Sequence, residues 1–334
     1  MALTLFGTDG IRGRANHYPL TPEMTVRIGR VVGRFFSGPD ARSSIIVGRD
    51  TRISGPMLEA AMSAGICAAG TDVRQAGMVP TPAVAFLTRK YGAAAGVVIS
   101  ASHNPYEDNG IKLFGPDGYK LSETQEVEIE SMIHAASGGD EDRRDNPVGP
   151  IDRIETAAED YLAFLRGAMP DHFSLNGYRI VIDCANGATS GIAARLLATW
   201  GADLVVLFDL PDGININRGC GSEHTDALRQ KVVEEKADLG VAFDGDGDRM
   251  IAVDETGRIL SGDQILAIDG TTVSGMDLRR REVRKLLQDQ AGKSIDLKIK
   301  RDGVQRSFLF QRDPYLYQID SDQYSYLVDS LNQW

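Results

Sequence analysis

The chain has 334 residues, more than one typical domain holds and enough for two or three. Its apolar content of 42% suits globular cores, and a net charge of -11 speaks against a nucleic-acid or anionic-membrane partner. Cys67, Cys184 and Cys220 form no disulfide framework; with no signal peptide and no apolar stretch able to span a bilayer, the expected location is cytoplasmic.

In chain order, Phe6-Gly7-Thr8-Asp9-Gly10-Ile11-Arg12-Gly13 carries glycines at 7, 10 and 13, which alone is weak evidence of phosphate binding; Arg12 is the better clue. Thr21-Pro22-Glu23, a capping residue before an N1 proline, predicts a helix running to about residue 37. Residues 44–47 read as a strand that delivers Gly48-Arg49-Asp50-Thr51-Arg52, whose arginines are either structural ion-pair partners or the border of a site. An alanine-rich helix (57–69), a strand (73–76) and a helix capped by Thr81-Pro82 (81–91) follow.

Residues 94–99 form a short apolar run, as expected of a strand buried on both faces. It opens into Ser100-Ala101-Ser102-His103-Asn104-Pro105, and open α/β sheets gather ligands at the carboxyl ends of their strands. Ser102 is therefore a candidate nucleophile, with an ordinary serine-rich turn as the alternative. Asp108-Asn109-Gly110 reads as a tight turn, and 111–114 as a strand carrying Lys112 back toward the serine. An ammonium there can neutralise a phosphate or take the proton of an incoming hydroxyl.

After a helix at 124–136, the polar stretch 137–150 marks a domain boundary. Beyond it, helices (154–165, 187–200, 225–235) alternate with strands (179–183, 204–207, 239–243), which implies a second, largely parallel sheet. Asp183-Cys184-Ala185-Asn186-Gly187 is read as an architectural strand-to-helix turn, with contact to ligand as the alternative. The strongest chemical signal is Asp244-Gly245-Asp246-Gly247-Asp248-Arg249, three carboxylates on alternate residues between two strands. An oxygen-only site of this kind suits Mg²⁺ better than zinc. Asp244, Asp246, Asp248 and Glu255 also fall on EF-hand positions one, three, five and twelve, but position six is Arg249 where glycine is needed, and strands flank the loop.

These residues resemble the α-D-phosphohexomutase superfamily, most closely its bacterial glucosamine-phosphate branch. The resemblance runs over about residues 3–268 and is carried by the Phe6–Gly13 string, Gly48 to Gly55, Pro80-Thr81-Pro82-Ala83, Ile99 to Pro105 with Asp108 to Lys112, Asp183 to Ala188, Gly213-Ile214-Asn215-Ile216-Asn217 and Phe243 to Arg249. It implies that Ser102 is phosphorylated and that Ser102, Asp244, Asp246 and Asp248 hold Mg²⁺. It also implies that Lys112, His103 and Arg12 serve catalysis, with Arg249 and Asn104 lining the phosphate. The implied reaction interconverts glucosamine 6-phosphate and glucosamine 1-phosphate through glucosamine 1,6-bisphosphate, with glucose or mannose phosphates as alternative substrates. All of this requires the Ser102 hydroxyl to lie beside the three carboxylates.

Beyond about residue 262 the resemblance fails. The family's Glu-x-Ser-Gly sugar loop and Arg-x-Ser-Gly-Thr-Glu-Pro distal phosphate loop do not occur, so impaired substrate clamping is expected. Residues 258–312 instead resemble the latter half of a PDZ domain, a strand, a helix near 283–287 and a hairpin, in which a protein partner is possible. Residues 275–312 hold 11 Lys and Arg against 5 Asp and Glu, which reads as a solvated basic face. The expected organisation is two α/β phosphohexomutase-type domains (1–150 and 151–257) with mixed, largely parallel sheets, a small α+β PDZ-like fragment (258–312) and a tail (313–334). The rival function is a non-catalytic metal- or phosphate-binding protein with a partner-docking C-terminal module.

Overall fold

The structure, a computed structural model, describes residues 4–7, 9–38, 43–136, 148–170 and 172–260, and the backbone of four strands between 265 and 311. One compact unit takes in Met1–Ala163 and Ser174–Gly257 and contains two sheets.

The first sheet is built from β1 (Phe6–Gly7), β2 (Gly10–Arg14), β3 (Ser44–Arg49), β4 (Asp72–Met78), β5 (Ala95–Ile99), β6 (Asp108–Phe114) and β7 (Ile151–Arg153), in the order β1-β2-β6-β5-β3-β4-β7. Strands β5, β3, β4 and β7 run parallel, and β6, β2 and β1 add an antiparallel edge. Every residue of β5 is buried, as its unbroken apolar sequence requires of a central strand. The helices are α1 (Pro22–Phe35), α2 (Gly55–Ala68), α3 (Thr81–Lys90) and α4 (Glu123–Ala135). Thr21 caps α1 by accepting from the Met24 amide at 3.2 Å. Helices α1 and α2 meet at main-chain distance: a Cβ on Gly65 would lie 2.1 Å from the Val26 carbonyl, so the alanine- and glycine-rich sequence of α2 is a packing requirement. Ile11, Ile28, Val32, Ile45, Met62 and Ile66 are among the residues of the core they share.

The second sheet has the order β11-β10-β8-β9, from β8 (Arg179–Asp183), β9 (Asp203–Leu207), β10 (Leu239–Phe243) and β11 (Met250–Asp254). Strands β9, β8 and β10 are parallel, and β11 returns antiparallel to β10. Helix α5 (Ala157–Gly167) precedes these strands in the chain, and α6 (Ala193–Thr199) and α7 (Asp226–Glu234) connect them. Val181, Leu228, Val232, Ala242 and Val253 form the core under α7.

Two local expectations change. Asp108-Asn109-Gly110 is the start of β6 and not a tight turn, because it pairs with β2 (Arg12 opposite Gly110, Gly13 opposite Asn109) and buries Asn109. Helix α6 starts at Ala193, since turns and a left-handed Gly191 (φ 75°) occupy the preceding residues.

The other unit comprises Phe164–Phe173 and Arg258–Trp334. Its described strands β12 (Ile265–Ile268), β13 (Thr271–Thr272), β14 (Ser294–Arg301) and β15 (Val304–Gln311) form an antiparallel sheet in the order β13-β12-β14-β15. The helix expected near 283–287 and the tail from 313 lie outside the described residues. Cys67, Cys184 and Cys220 are buried and unpaired, and no helix among the described residues is long and apolar enough to cross a membrane.

Candidate active site

Parallel strands of both sheets deliver loops from their carboxyl ends to one place. Strand β3 gives Asp50 and Arg52, β4 leads to Thr81 at the start of α3, and β5 gives Ser102. From the second sheet, β8 leads to Asn186, and β10 leads to the loop from Asp244 to Arg249. Hydrogen bonds join the two sets: Thr51 Oγ1 donates to the Asn186 carbonyl at 2.7 Å, the Ile53 amide to the Gly213 carbonyl at 2.8 Å and the Thr81 amide to the Asp246 carbonyl at 2.9 Å.

Ser102 lies at this junction, 2% exposed, with its backbone in the left-handed region (φ 52°). Its hydroxyl donates to Asp244 Oδ2 at 2.6 Å and accepts from Arg249 Nη2 at 2.6 Å. Arg249 also donates from its main chain and Nε to the two oxygens of Asp244, each at 3.1 Å, and contacts Nδ1 of His103. Lys112 projects from β6, as its strand position predicts, and bridges Asp246 Oδ2 at 2.8 Å and Asp248 Oδ2 at 3.1 Å.

One oxygen from each of Asp244, Asp246 and Asp248 lies within 4.8 Å of the others. Burial and then the charges of Asp246 and Asp248 push the Asp244 carboxyl well above the usual carboxylate range. Burial alone would raise Asp246 too, but Lys112 outweighs it and holds that carboxyl low. Burial would lower the Lys112 ammonium, and the attraction of Asp246 and Asp248 drives it up instead, so here it is a fixed positive charge. Burial and Arg249 lower the His103 imidazole. Asp246 Oδ1 is buried with no hydrogen-bond partner. A buried carboxylate oxygen without a partner, in a cluster with two further carboxylates, is costly unless a cation meets it, and an all-oxygen donor set selects a hard cation. The cluster fits a divalent metal. The strands β10 and β11 on either side rule out an EF-hand.

Ser102, His103, Lys112, Arg249 and the three aspartates are thus brought together. Arg12 stands at the margin: its Nη2 pairs with Asp9 at 2.7 Å, and Nη1 reaches the Ala101 carbonyl and Asn104 Oδ1 only at 3.5 Å. Asn104 shapes the loop, its amide donating to Asp108 Oδ2 at 3.0 Å. The turn from Asp183 is architectural as expected, with the Asp183 carboxylate accepting from the Ala185 and Gly221 amides, both at 2.8 Å. Three residues of the junction make contacts that the sequence does not reveal. Thr81 donates its hydroxyl to Asp246 Oδ2 at 2.6 Å. Arg52 and Asn217 both bind carbonyls of the serine loop. The strings Gly48 to Gly55, Pro80-Thr81-Pro82 and Gly213 to Asn217 marked the neighbourhood of all three without saying what they touch.

Comparison with known proteins places both α/β domains in one family. Residues 3–139 match the family described as phosphoglucomutase/phosphomannomutase, alpha/beta/alpha domain I, and residues 159–257 match its alpha/beta/alpha domain II. The phosphoglucosamine mutase of Pelotomaculum thermopropionicum is 52% identical over 264 residues, covering 79% of this chain and 59% of the relative. That of Mesorhizobium japonicum is 50% identical over 275 residues, 80% of this chain and 59% of the relative. The chain therefore spans about three-fifths of the length of these relatives. Among solved structures, a phosphoglucomutase/phosphomannomutase family protein from Burkholderia thailandensis superposes with a TM-score of 0.67 at 29% identity, over 78% of this chain and 56% of that one. A putative phosphomannomutase from Thermus thermophilus shares the fold, with a TM-score of 0.66 at 23% identity over 78% of this chain and 59% of that one. Through its two consecutive α/β/α domains the chain belongs to the phosphoglucomutase/phosphomannomutase family.

Proposed function

We propose that these two domains carry the phosphoserine chemistry of a phosphohexomutase of the phosphoglucosamine mutase type, with Ser102 as the residue that takes and returns the phosphoryl group. The observation that carries this is the Ser102 hydroxyl, held between the Asp244 carboxylate and the Arg249 guanidinium at 2.6 Å from each. In the transfer to sugar, the bond between phosphorus and Ser102 Oγ breaks as a sugar hydroxyl oxygen bonds to phosphorus. The sugar hydroxyl gives up its proton as that bond forms, Arg249 meets the negative charge developing on Oγ, and Oγ takes up a proton to end as the serine hydroxyl, so that the exchange is proton-neutral overall. Lys112 offsets the charge of the phosphoryl oxygens. Mg²⁺ is the cation proposed for Asp244, Asp246, Asp248 and Ser102, where when bound it would neutralise developing negative charge.

The proposed substrates are glucosamine 6-phosphate, glucosamine 1-phosphate and their bisphosphate. What favours glucosamine over glucose or mannose is the high identity to the two phosphoglucosamine mutases. Residues 1–334 carry neither the sugar loop nor the distal phosphate loop motif, so this polypeptide should exchange phosphate on Ser102 faster than it isomerises sugar. The reading of 258–312 as PDZ-like, with a possible protein partner, rests on the sequence pattern; the antiparallel sheet β12–β15 is in keeping with its strand and hairpin parts. A cytoplasmic location accords with three buried, unpaired cysteines.

Incubation with glucosamine 1,6-bisphosphate and Mg²⁺, followed by intact-mass and peptide mass spectrometry, tests the proposal. One phosphoryl group on Ser102, lost in Ser102→Ala, is expected. No uptake, or uptake on another residue, would overturn it, and isomerisation at ordinary enzyme rates in a coupled assay would refute the impaired clamp.

A further inference from the structure

Ser102 occupies a left-handed backbone conformation that a residue with a side chain seldom adopts, so surrounding structure must impose it. Arg52 supplies the first half of that constraint. It is 0% exposed, and all five of its N–H donors are committed. Nε binds Asp50 Oδ2 at 2.8 Å; Nη2 binds the carbonyls of Ser102 and Asn104, both at 2.9 Å; Nη1 binds the carbonyl of Asp108 at 3.0 Å and that of Pro105. The buried Asp50 carboxylate also accepts from Ser100 Oγ at 2.6 Å, and Ser100 Oγ in turn accepts from the Ser102 amide at 3.0 Å.

Asn217 supplies the second half from the other sheet's loops. Its Nδ2 donates to the same two carbonyls, Ser102 at 2.8 Å and Asn104 at 3.0 Å. Its own main chain is fixed by donation to the Ala185 carbonyl at 2.9 Å. Each of the two loop carbonyls therefore spends both lone pairs, one on a donor from each sheet. The peptide before Ser102 is pinned through its N–H and the peptide after it through its C=O, so that only the side-chain torsion is left, and Asp244 and Arg249 fix that through the hydroxyl.

We infer that Arg52 and Asn217 are positioning residues for phosphoryl transfer, a two-sided clamp on the Ser102 and Asn104 carbonyls that holds the Ser102 hydroxyl in its reactive orientation only when both sheets' loops are docked. The inference rests on Ser102 being the phosphorylated serine. It gives Arg52 a role that lysine cannot copy, since an ammonium has three donors and no planar fork to span four carbonyls.

The test uses the full chain. Asn217→Asp keeps the shape of the side chain but turns acceptors toward the two carbonyls; Asn217→Ala removes the donors; Arg52→Lys keeps the charge and loses the fork. Phosphorylation of Ser102 by glucosamine 1,6-bisphosphate with Mg²⁺ is followed by intact mass across bisphosphate concentrations. In Asn217→Asp and Asn217→Ala the maximal rate should fall about tenfold to a hundredfold with half-saturation moving less than about twofold. Arg52→Lys, if it folds, should behave the same way; if its buried ion pair prevents folding, the Asn217 variants carry the test. An unchanged maximal rate, or a loss confined to half-saturation, overturns the clamp. If the parent chain takes up no phosphate, the functional reading fails, and the clamp is then judged by hydrogen exchange at the amides of Ser102 and Asn104. Exchange at least about tenfold faster in Asn217→Asp supports it, and unchanged exchange overturns it.

Discussion

Removing one hydroxyl, in Thr81→Val, tests whether the first domain sets the geometry of the acidic loop. Thr81 and Asp246 are 6% and 1% exposed, and the hydroxyl donates to Asp246 Oδ2 at 2.6 Å. A buried hydrogen bond to a charged group contributes about 1.5–3 kcal/mol. The lower end applies, because Oδ2 retains Lys112 at 2.8 Å and the Thr81 amide keeps its bond to the Asp246 carbonyl at 2.9 Å, both untouched by valine. A loss of about 1.5 kcal/mol in a unit of this size lowers the melting temperature by about 3–6 °C. Once its Oδ2 is freed on one side, Asp246 is less firmly held within the carboxylate cluster. Such outer supports are worth about tenfold or more in metal affinity. Thermal melts in chelator and calorimetric titration with Mg²⁺ measure the two effects, and Thr81→Ser, which keeps the hydroxyl, serves as the control. A valine variant that melts and binds Mg²⁺ like the parent would show that Thr81 does not orient Asp246.

Three further outcomes are expected. Adding Mg²⁺ at a hundredfold excess over its dissociation constant should stabilise the parent by about 2.7 kcal/mol, and Asp246→Asn should abolish most of that gain; equal melting with and without Mg²⁺ would refute the metal site. Gly187→Ala places a Cβ 2.4 Å from the Gly245 carbonyl oxygen, and because a main chain must move, the cost should be about 1–3 kcal/mol with weaker Mg²⁺ binding, whereas Gly167→Ala, with open space around it, should be near neutral in urea melts. Burial would raise the Glu130 carboxyl, but donation from the Thr4 hydroxyl and the amides of Phe6, Thr4 and Leu5 outweighs it and brings the value to about 2 from an ordinary 4.5. A depressed carboxylate stabilises the fold above its unfolded value and loses that contribution as pH falls from 4.5 toward 2, here up to about 3 kcal/mol. Glu130→Gln should remove this part of the acid dependence in urea melts at pH 6 and pH 3; an unchanged slope would contradict it.

The nucleophile and the acidic loop were legible because their chemistry is contiguous: Ser102 follows an apolar strand directly, and the three aspartates alternate with glycines within five residues. Lys112 was legible through strand geometry alone, since β6 pairs it opposite Val98 beside the serine loop. Arg52 was legible only as an ion-pair partner or the border of a site, and it is both, pairing with Asp50 and binding the serine loop; its carbonyl partner and that of Asn217, 50 and 115 residues away, leave no mark on sequence. Thr81 looked like a helix cap, but it is the first residue of α3, and its hydroxyl caps nothing there because it is spent on Asp246 of the other domain. Asp108-Asn109-Gly110 has the composition of a turn, and pairing with β2 overrode it.

The seam of donors and acceptors running from Thr51, Ile53 and Thr81 to Asn186, Gly213 and Asp246 means that neither sheet owns its half of the chemistry. A polypeptide severed near residue 150 would leave each piece with bare polar groups where the other had been, and each would be inert. Mixed together, the pieces would find one another through those same groups, so that recovery of function on reassociation, and not the activity of either piece, measures what this molecule has built between its sheets.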